Sequence, residues 1–253
     1  MNRKSILSIA LAAALSMAGS AIAADKIRLG TEGAYAPYNF MNDEGKLAGF
    51  EIDLGNAMCE EMKAECEWVV NEWDSIIPNL VAGNYDAIMA GMSITDERKK
   101  TITFSEEYMP VDPSMYIVAK GTELNWDSLE GKSIGVQGAT IQAAFAEEKY
   151  GKNNTIKSYE KGDQTIADLM AGNLDTVLAD GEFLKPAVKG SEGAMEFSGP
   201  EEMIGGGIGV GMRQDDADLH KKMNDALAAL KKSGKVDELI AKYFDGKGPF
   251  YKE

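Results

Sequence analysis

The chain is poor in metal-binding side chains. Its 253 residues include one histidine, His220, and two cysteines, Cys59 and Cys66. The histidine lies in a polar helical stretch far from the cysteines, and two sulfurs alone make a poor zinc site. No metal and no cofactor are therefore expected. Positive charge is scarce as well: 26 Lys and Arg stand against 41 Asp and Glu, a formal net charge of −15. So acidic a surface argues against nucleic acid or an anionic membrane as partner and mildly favours cationic ligands. Nucleotide signatures are missing too. The glycines near residue 135 do not form the dinucleotide fingerprint, and no phosphate-binding lysine motif occurs.

Long apolar runs are confined to the first 23 residues, which read as a secretory signal. Arg3 and Lys4 form the charged start, Ile6 to Met17 an apolar stretch too short for a comfortable membrane span, and Ala21-Ile22-Ala23 a small-residue cleavage site. No cysteine follows the cleavage site to carry a lipid. The expected mature chain is a free protein of the bacterial periplasm. With the two leader charges gone, its formal net charge becomes about −17. In an oxidising compartment, two cysteines this close are expected to form a disulfide at a helix end. The remaining length suits two lobes of roughly 100 residues each.

What is present is organised around residues 86 to 98. The apolar run Ala87-Ile88-Met89-Ala90 fits a buried strand and leads to Thr95, a helix cap, with Asp96 and Glu97 suited to a first helical turn. Arg98 sits in that turn. A two-pronged cation beside free backbone N–H groups suits a small carboxylate. The plainer use of Arg98 is a surface ion pair with Asp96 or Glu97.

This phrase occurs twice. Residues 82–90 (AGNYDAIMA) align without a gap to 171–179 (AGNLDTVLA), and upstream Ile77 and Leu80 match Ile166 and Leu169. Each copy reads as a helix, a Gly-Asn stop, an Asp turn and a buried strand. The second copy ends in Asp180 where the first has Gly91. One copy leads to a cation and the other ends in an anion, which are the two charges a free α-amino acid requires. Asp180 could instead serve only as the N-cap of the helix that follows.

Other candidates lie at similar strand ends. Glu32 follows the strand Ile27 to Thr31, at the carboxyl end where open α/β sheets place ligand contacts. Tyr35 and Tyr38 cluster behind it, either folded onto the core or facing a cleft. Trp73, at a strand-to-helix turn, is read as a cleft wall more readily than as core. Ser114 to Ala119 is read as a first crossing between lobes. The run Gly131 to Thr140, a strand and a Gly-Ala turn before a helix at Ile141 to Tyr150, echoes Gly30 to Ala34 and places Thr140 at a helix N-terminus. Ile208 to Met212 is read as the strand returning to the first lobe.

Spread in order over the mature chain are Gly30-Thr31-Glu32 with Tyr35-Ala36-Pro37, Gly49-Phe50-Glu51-Ile52-Asp53-Leu54, the Cys59 and Cys66 pair, Trp73-Asp74-Ser75-Ile76-Ile77-Pro78, Ser93-Ile94-Thr95-Asp96-Glu97-Arg98, Gly135-Val136-Gln137-Gly138 and Leu174-Asp175. Together they resemble the bacterial extracellular solute-binding proteins of family 3, receptors of polar amino-acid ABC importers, and most of all their arginine-binding and lysine/arginine/ornithine-binding members. The resemblance implies an α/β fold of two lobes, each a mixed sheet flanked by helices, closing by hinge motion on a ligand in the cleft. Lobe 1 would comprise 24–111 and 208–253, lobe 2 115–203, with hinges near 112–114 and 204–207.

It further implies that Arg98, with the backbone N–H groups of Ser93 and Thr140, holds an α-carboxylate. Asp180, the Ser93 hydroxyl and the Gly91 carbonyl would hold the α-ammonium. Tyr35 and Trp73 would flank the side chain, with Glu32 at its far end. Ala90, Gly91 and Ala139 depart from the lysine/arginine/ornithine pattern, which has serines there, and Ala90-Gly91-Met92 looks more like the arginine binders. The implied ligand is a basic L-amino acid, arginine first, then lysine or ornithine. The implied partners are an inner-membrane ABC permease and, in a signalling role, a chemoreceptor, with the protein itself a monomer. Two rival readings are a binder of another polar amino acid and a periplasmic enzyme of the cyclohexadienyl or arogenate dehydratase type, for which Glu32 is the available proton donor.

Overall fold

A computed structural model describes residues 26–251, and the signal segment expected at 1–23 lies outside the described residues. The first half opens with β1 (Lys26–Thr31) and a small meander, β2 (Ala34–Tyr35), β3 (Asn39–Met41) and β4 (Leu47–Ala48), before α1 (Phe50–Met62) and β5 (Glu65–Val70). A short 3-10 turn, Trp73–Ser75, leads into α2 (Ile76–Val81), β6 (Ala87–Ile88), α3 (Asp96–Lys99) and β7 (Ile102–Met109). The second half runs β8 (Ser114–Ala119), β9 (Ser133–Gln137), α4 (Ile141–Tyr150), β10 (Thr155–Tyr159), α5 (Gly162–Met170), β11 (Thr176–Asp180), α6 (Gly181–Gly190) and β12 (Met195–Phe197). The chain then returns through β13 (Ile208–Arg213) to α7 (Ala217–Ser233) and α8 (Lys235–Tyr243).

Two five-stranded mixed sheets result, ordered β5-β1-β6-β13-β7 and β10-β9-β11-β8-β12. In each, three parallel strands adjoin two strands paired antiparallel to their neighbours. Ser114–Ala119, read from sequence as a crossing, is instead a mostly buried strand inside the second sheet, so only the short segment before it passes between the sheets. The apolar run Met115-Tyr116-Ile117-Val118 explains the placement, since Tyr116, Ile117 and Val118 are almost fully buried. The cysteines do form a disulfide, tying the end of α1 to β5.

The internal repeat is reproduced bond for bond. After α2, Ala82, Gly83 and Asn84 donate to the carbonyls of Pro78, Leu80 and Asn79. After α5, Ala171, Gly172 and Asn173 donate to those of Ala167, Leu169 and Asp168. Gly83 and Gly172 adopt φ of 80° and 77°, which only glycine does cheaply. The Asp of each turn then receives the backbone N–H of the neighbouring parallel strand: Arg28 donates to Asp86 at 2.9 Å and Ser133 to Asp175 at 2.8 Å. The alignment extends to packing. A Cβ on Gly30 would meet the Tyr85 ring at 2.6 Å, and one on Gly135 would meet Leu174 at 2.4 Å. Tyr85 and Leu174 occupy the same place in the two copies, so β1 and β9 are equivalent strands.

The two Asp turns carry different loads. Asp86, 20% exposed, accepts from the guanidinium groups of both Arg28 and Arg213, at 2.8 and 3.2 Å. Asp175 is more exposed and, among the described residues, forms an ion pair only with Lys132, at 3.1 Å. Asp86→Ala removes the carboxylate shared by both guanidinium groups, which keep the carbonyls of Gly83 and Asn84 and of Leu80 and Tyr85 as acceptors, and is expected to lower stability by about 2 kcal/mol. Asp175→Ala should cost about 1 kcal/mol. Urea denaturation of both variants checks the ranking, and an equal loss would show that the second arginine at Asp86 contributes nothing.

Candidate functional site

Two parallel strands from each sheet end at one small cavity. Glu32 follows β1, Ala90 and Gly91 follow β6, Gln137 ends β9 and Asp180 ends β11. All nine residues singled out in the sequence line it: Glu32, Tyr35, Trp73, Ala90, Gly91, Ser93, Arg98, Thr140 and Asp180. Gln137, Ile141 and Gln142 line it too.

Arg98 is drawn inward. Thr95 caps α3 by accepting the Arg98 backbone N–H at 3.1 Å, which fixes the turn. Its neighbours take the acidic residues: Lys99 pairs with Asp96 and Lys100 with Glu97. The surface ion pair considered for Arg98 is thus absent. Its guanidinium instead donates to the Ser93 carbonyl at 2.8 Å and lies 5.2 Å from the centroid of the Trp73 ring. Burial strips its hydration and pulls its pKa down to about 10, with Asp180 pulling the other way. Trp73 serves both uses weighed for it, since it packs with Ile76 and Leu80 while one face lines the cavity.

Backbone geometry completes this corner. Ser93 forms an antiparallel bridge with Ile208, and the flanking bonds run from Ile94 N–H to Gly207 and from Gly209 N–H to Met92. Ser93 is therefore at a non-hydrogen-bonded pair, with its own N–H and C=O facing away from Ile208. That carbonyl receives Arg98, so the Ser93 N–H points to the same side as the guanidinium. Thr140 caps α4 by accepting the Ala143 N–H at 3.0 Å, placing a helix N-terminus on the cavity wall.

Asp180 occupies the N-cap position of α6 but makes no side-chain capping bond. Its carboxylate faces the cavity instead, accepting Tyr35 Oη at Oδ2, 2.6 Å, and Gln142 Nε2 at Oδ1, 2.8 Å. Burial raises its pKa, while these two donors and Arg98 favour the charged form. Tyr35 stacks on Phe183 with centroids 4.3 Å apart and planes within 2°, linking the meander of the first half to α6 of the second. Tyr38, by contrast, belongs to the core, almost fully buried against Phe244. Gly91 holds φ of 63°, and its N–H donates to buried Glu51 at 2.6 Å.

Glu32 is 5% exposed and accepts from Gln137 Nε2 at 2.7 Å. Burial raises its pKa to about 7, with the Gln137 bond opposing the shift. Gln137 and Gln142 escaped the sequence reading. A signal for Gln137 was available: counting from the equivalent pair Gly30 and Gly135, it occupies the position of Glu32. Gln142 carries no such mark, because its role depends on where α4 meets Asp180.

Comparison with known proteins follows this geometry. Residues 27–246 match the family described as bacterial extracellular solute-binding proteins, family 3. The lysine/arginine/ornithine-binding periplasmic protein of Escherichia coli is 39% identical, covering 96% of this chain and 97% of its own. The L-arginine-binding protein of Pseudomonas aeruginosa is 37% identical over 88% of this chain and 89% of its own. Among solved structures, a periplasmic His/Glu/Gln/Arg/opine family-binding protein from Silicibacter pomeroyi, in complex with lysine, superposes with a TM-score of 0.82 at 42% identity, covering 89% of this chain and all of that one.

Glu32 gives this site a pH signature. With its folded pKa raised to about 7 from the ordinary 4.5, the folded chain keeps a proton that the unfolded chain has lost. Its stabilising contribution is present below the unfolded value and lost as pH rises through about 7. Relative to Glu32→Gln, the ligand-free wild type should therefore gain stability, on the order of 2 kcal/mol, between pH about 8 and about 5. A pH-independent difference in urea denaturation would show that Glu32 titrates normally.

Proposed function

The chain belongs to the bacterial extracellular solute-binding proteins, family 3, and from this we propose that it is the periplasmic substrate-binding component of an ABC importer for basic L-amino acids, arginine first, then lysine and ornithine. The observation that carries the reading is the charge arrangement of a single small cavity. A half-buried guanidinium without a carboxylate partner among the described residues and a half-buried carboxylate, Asp180, both face it, and the buried carboxylate of Glu32 lines it too.

The ligand's α-carboxylate would take Arg98 and the N–H groups of Ser93 and Thr140. Its α-ammonium would take Asp180, the Ser93 hydroxyl and the Gly91 carbonyl. The side chain would run between Tyr35 and Trp73, over Ala90, toward Glu32. A cationic end favours ionised Glu32, so binding of arginine releases the proton that the free site holds there. The sheet memberships support lobes at 24–111 with 208–253 and at 115–203, hinged near 112–114 and 204–207. The periplasmic location, the leader at 1–23, the permease partner, a chemoreceptor as second listener and a monomeric state belong to the same proposal.

A thermal-shift panel of ligand-stripped protein against common amino acids, opines, polyamines and arogenate should show large stabilisation with arginine, lysine or ornithine. Shifts confined to neutral or acidic amino acids would keep an amino-acid receptor but reject the role of Glu32, and turnover of arogenate would replace the receptor with an enzyme. By calorimetry, Arg98→Ala and Asp180→Ala should each weaken arginine at least about 100-fold, since each leaves a buried ligand charge unpaired. Near-normal binding by both variants would sink the assignment. Arginine affinity of the wild type should also rise between pH about 6 and about 8 as Glu32 ionises, and Glu32→Gln should flatten that rise.

A further inference from the structure

Gln142 sits in the first turn of α4, two residues beyond Thr140, and is 4% exposed. Its amide nitrogen has two hydrogens, and each finds an acceptor: Asp180 Oδ1 at 2.8 Å and Ser114 Oγ at 3.0 Å. With both neighbours accepting, the amide has one sensible orientation, nitrogen toward the carboxylate. Tyr35 holds the other oxygen of Asp180. The carboxylate is thus clamped on both oxygens, from the first half by Tyr35 and from the second by Gln142.

Ser114 is 1% exposed and marks the place where the two connections between the sheets meet. Its backbone exchanges a reciprocal pair of bonds with Glu202, both 2.9 Å, joining the start of β8 to the return segment that follows β12. A short chain of contacts therefore runs from Asp180 through Gln142 to the paired crossings.

Resting on the amino-acid-binding reading above, we infer that Gln142 is a positioning residue. It aims Asp180 at the ligand's α-ammonium and ties that carboxylate to the point about which the two halves are joined. The ligand itself is not its partner; it acts through Asp180. Removing it frees one carboxylate oxygen to rotate, which weakens the grip on the ammonium and leaves the grip on the carboxylate by Arg98 intact.

The test pairs L-arginine with 5-guanidinopentanoate, which keeps the carboxylate and guanidinium but has no α-ammonium. Gln142→Leu removes both donors at nearly constant volume. Titration calorimetry should show arginine binding to this variant weakened about 10- to 100-fold while 5-guanidinopentanoate changes less than about 3-fold. Ser114→Ala, a milder change that leaves Gln142 in place, should shift arginine in the same direction by a smaller factor, and it carries the test if the leucine variant fails to unfold cooperatively. Proportionate losses for both compounds would reduce Gln142 to general packing and overturn the inference. Unchanged arginine affinity would overturn it as well, while leaving the receptor reading standing. Failure of the wild type to bind any basic amino acid would remove that reading and this inference with it.

Discussion

Everything in this molecule turns on the desolvation of three charged groups around a small cavity. Arg98, Asp180 and Glu32 come from different elements and from both halves, and each is shifted toward its neutral form by burial. A buried charge without a partner costs several kcal/mol, so the protein alone is an incomplete ionic structure. Partial remedies are built in: the Ser93 carbonyl for Arg98, Tyr35 and Gln142 for Asp180, Gln137 for Glu32. Each remedy is a neutral dipole, which satisfies a charge without cancelling it. A zwitterion with a cationic tail supplies what is missing.

This arrangement also explains why the two halves touch where they do. Three of the four dipoles reach their charge from another part of the chain, and Tyr35 and Gln137 do so from the opposite half. The contacts that hold the halves together at the cavity are then the same contacts that keep its charges tolerable. Stacking of Tyr35 on Phe183 adds apolar area immediately beside them. The cavity and the contact between the halves share their residues.

Much of this was legible in the sequence, for identifiable reasons. The repeat at 82–90 and 171–179 was visible because the turn needs glycine in the left-handed region and an aspartate to receive a strand N–H, and few substitutes satisfy both. Strand ends were legible because apolar runs stop there. Arg98 was ambiguous in sequence, with Asp96 and Glu97 beside it, and only the lysines that follow, which take those partners, release it toward Trp73. Ser114 to Ala119 misled because a mostly buried strand and an extended connector look alike in one dimension. Gln142 stayed hidden because its function is a distance to Asp180, and no spacing along the chain encodes it.

Glu32 and Gln137 occupy equivalent positions in the two repeats and are hydrogen-bonded to each other. Two copies of one position thus meet at the cavity, one from each half. Such a site starts out indifferent to direction, whereas an amino acid has a head, a tail and a hand. Direction is then written in residues where the copies disagree, among them Gly91 against Asp180, Arg98 against Ala187 and Glu32 against Gln137. With a glutamate in both halves, two buried carboxylates would face each other at this contact and could not both ionise. The glutamine is the smallest change that removes that conflict, and with it the pocket acquires an orientation.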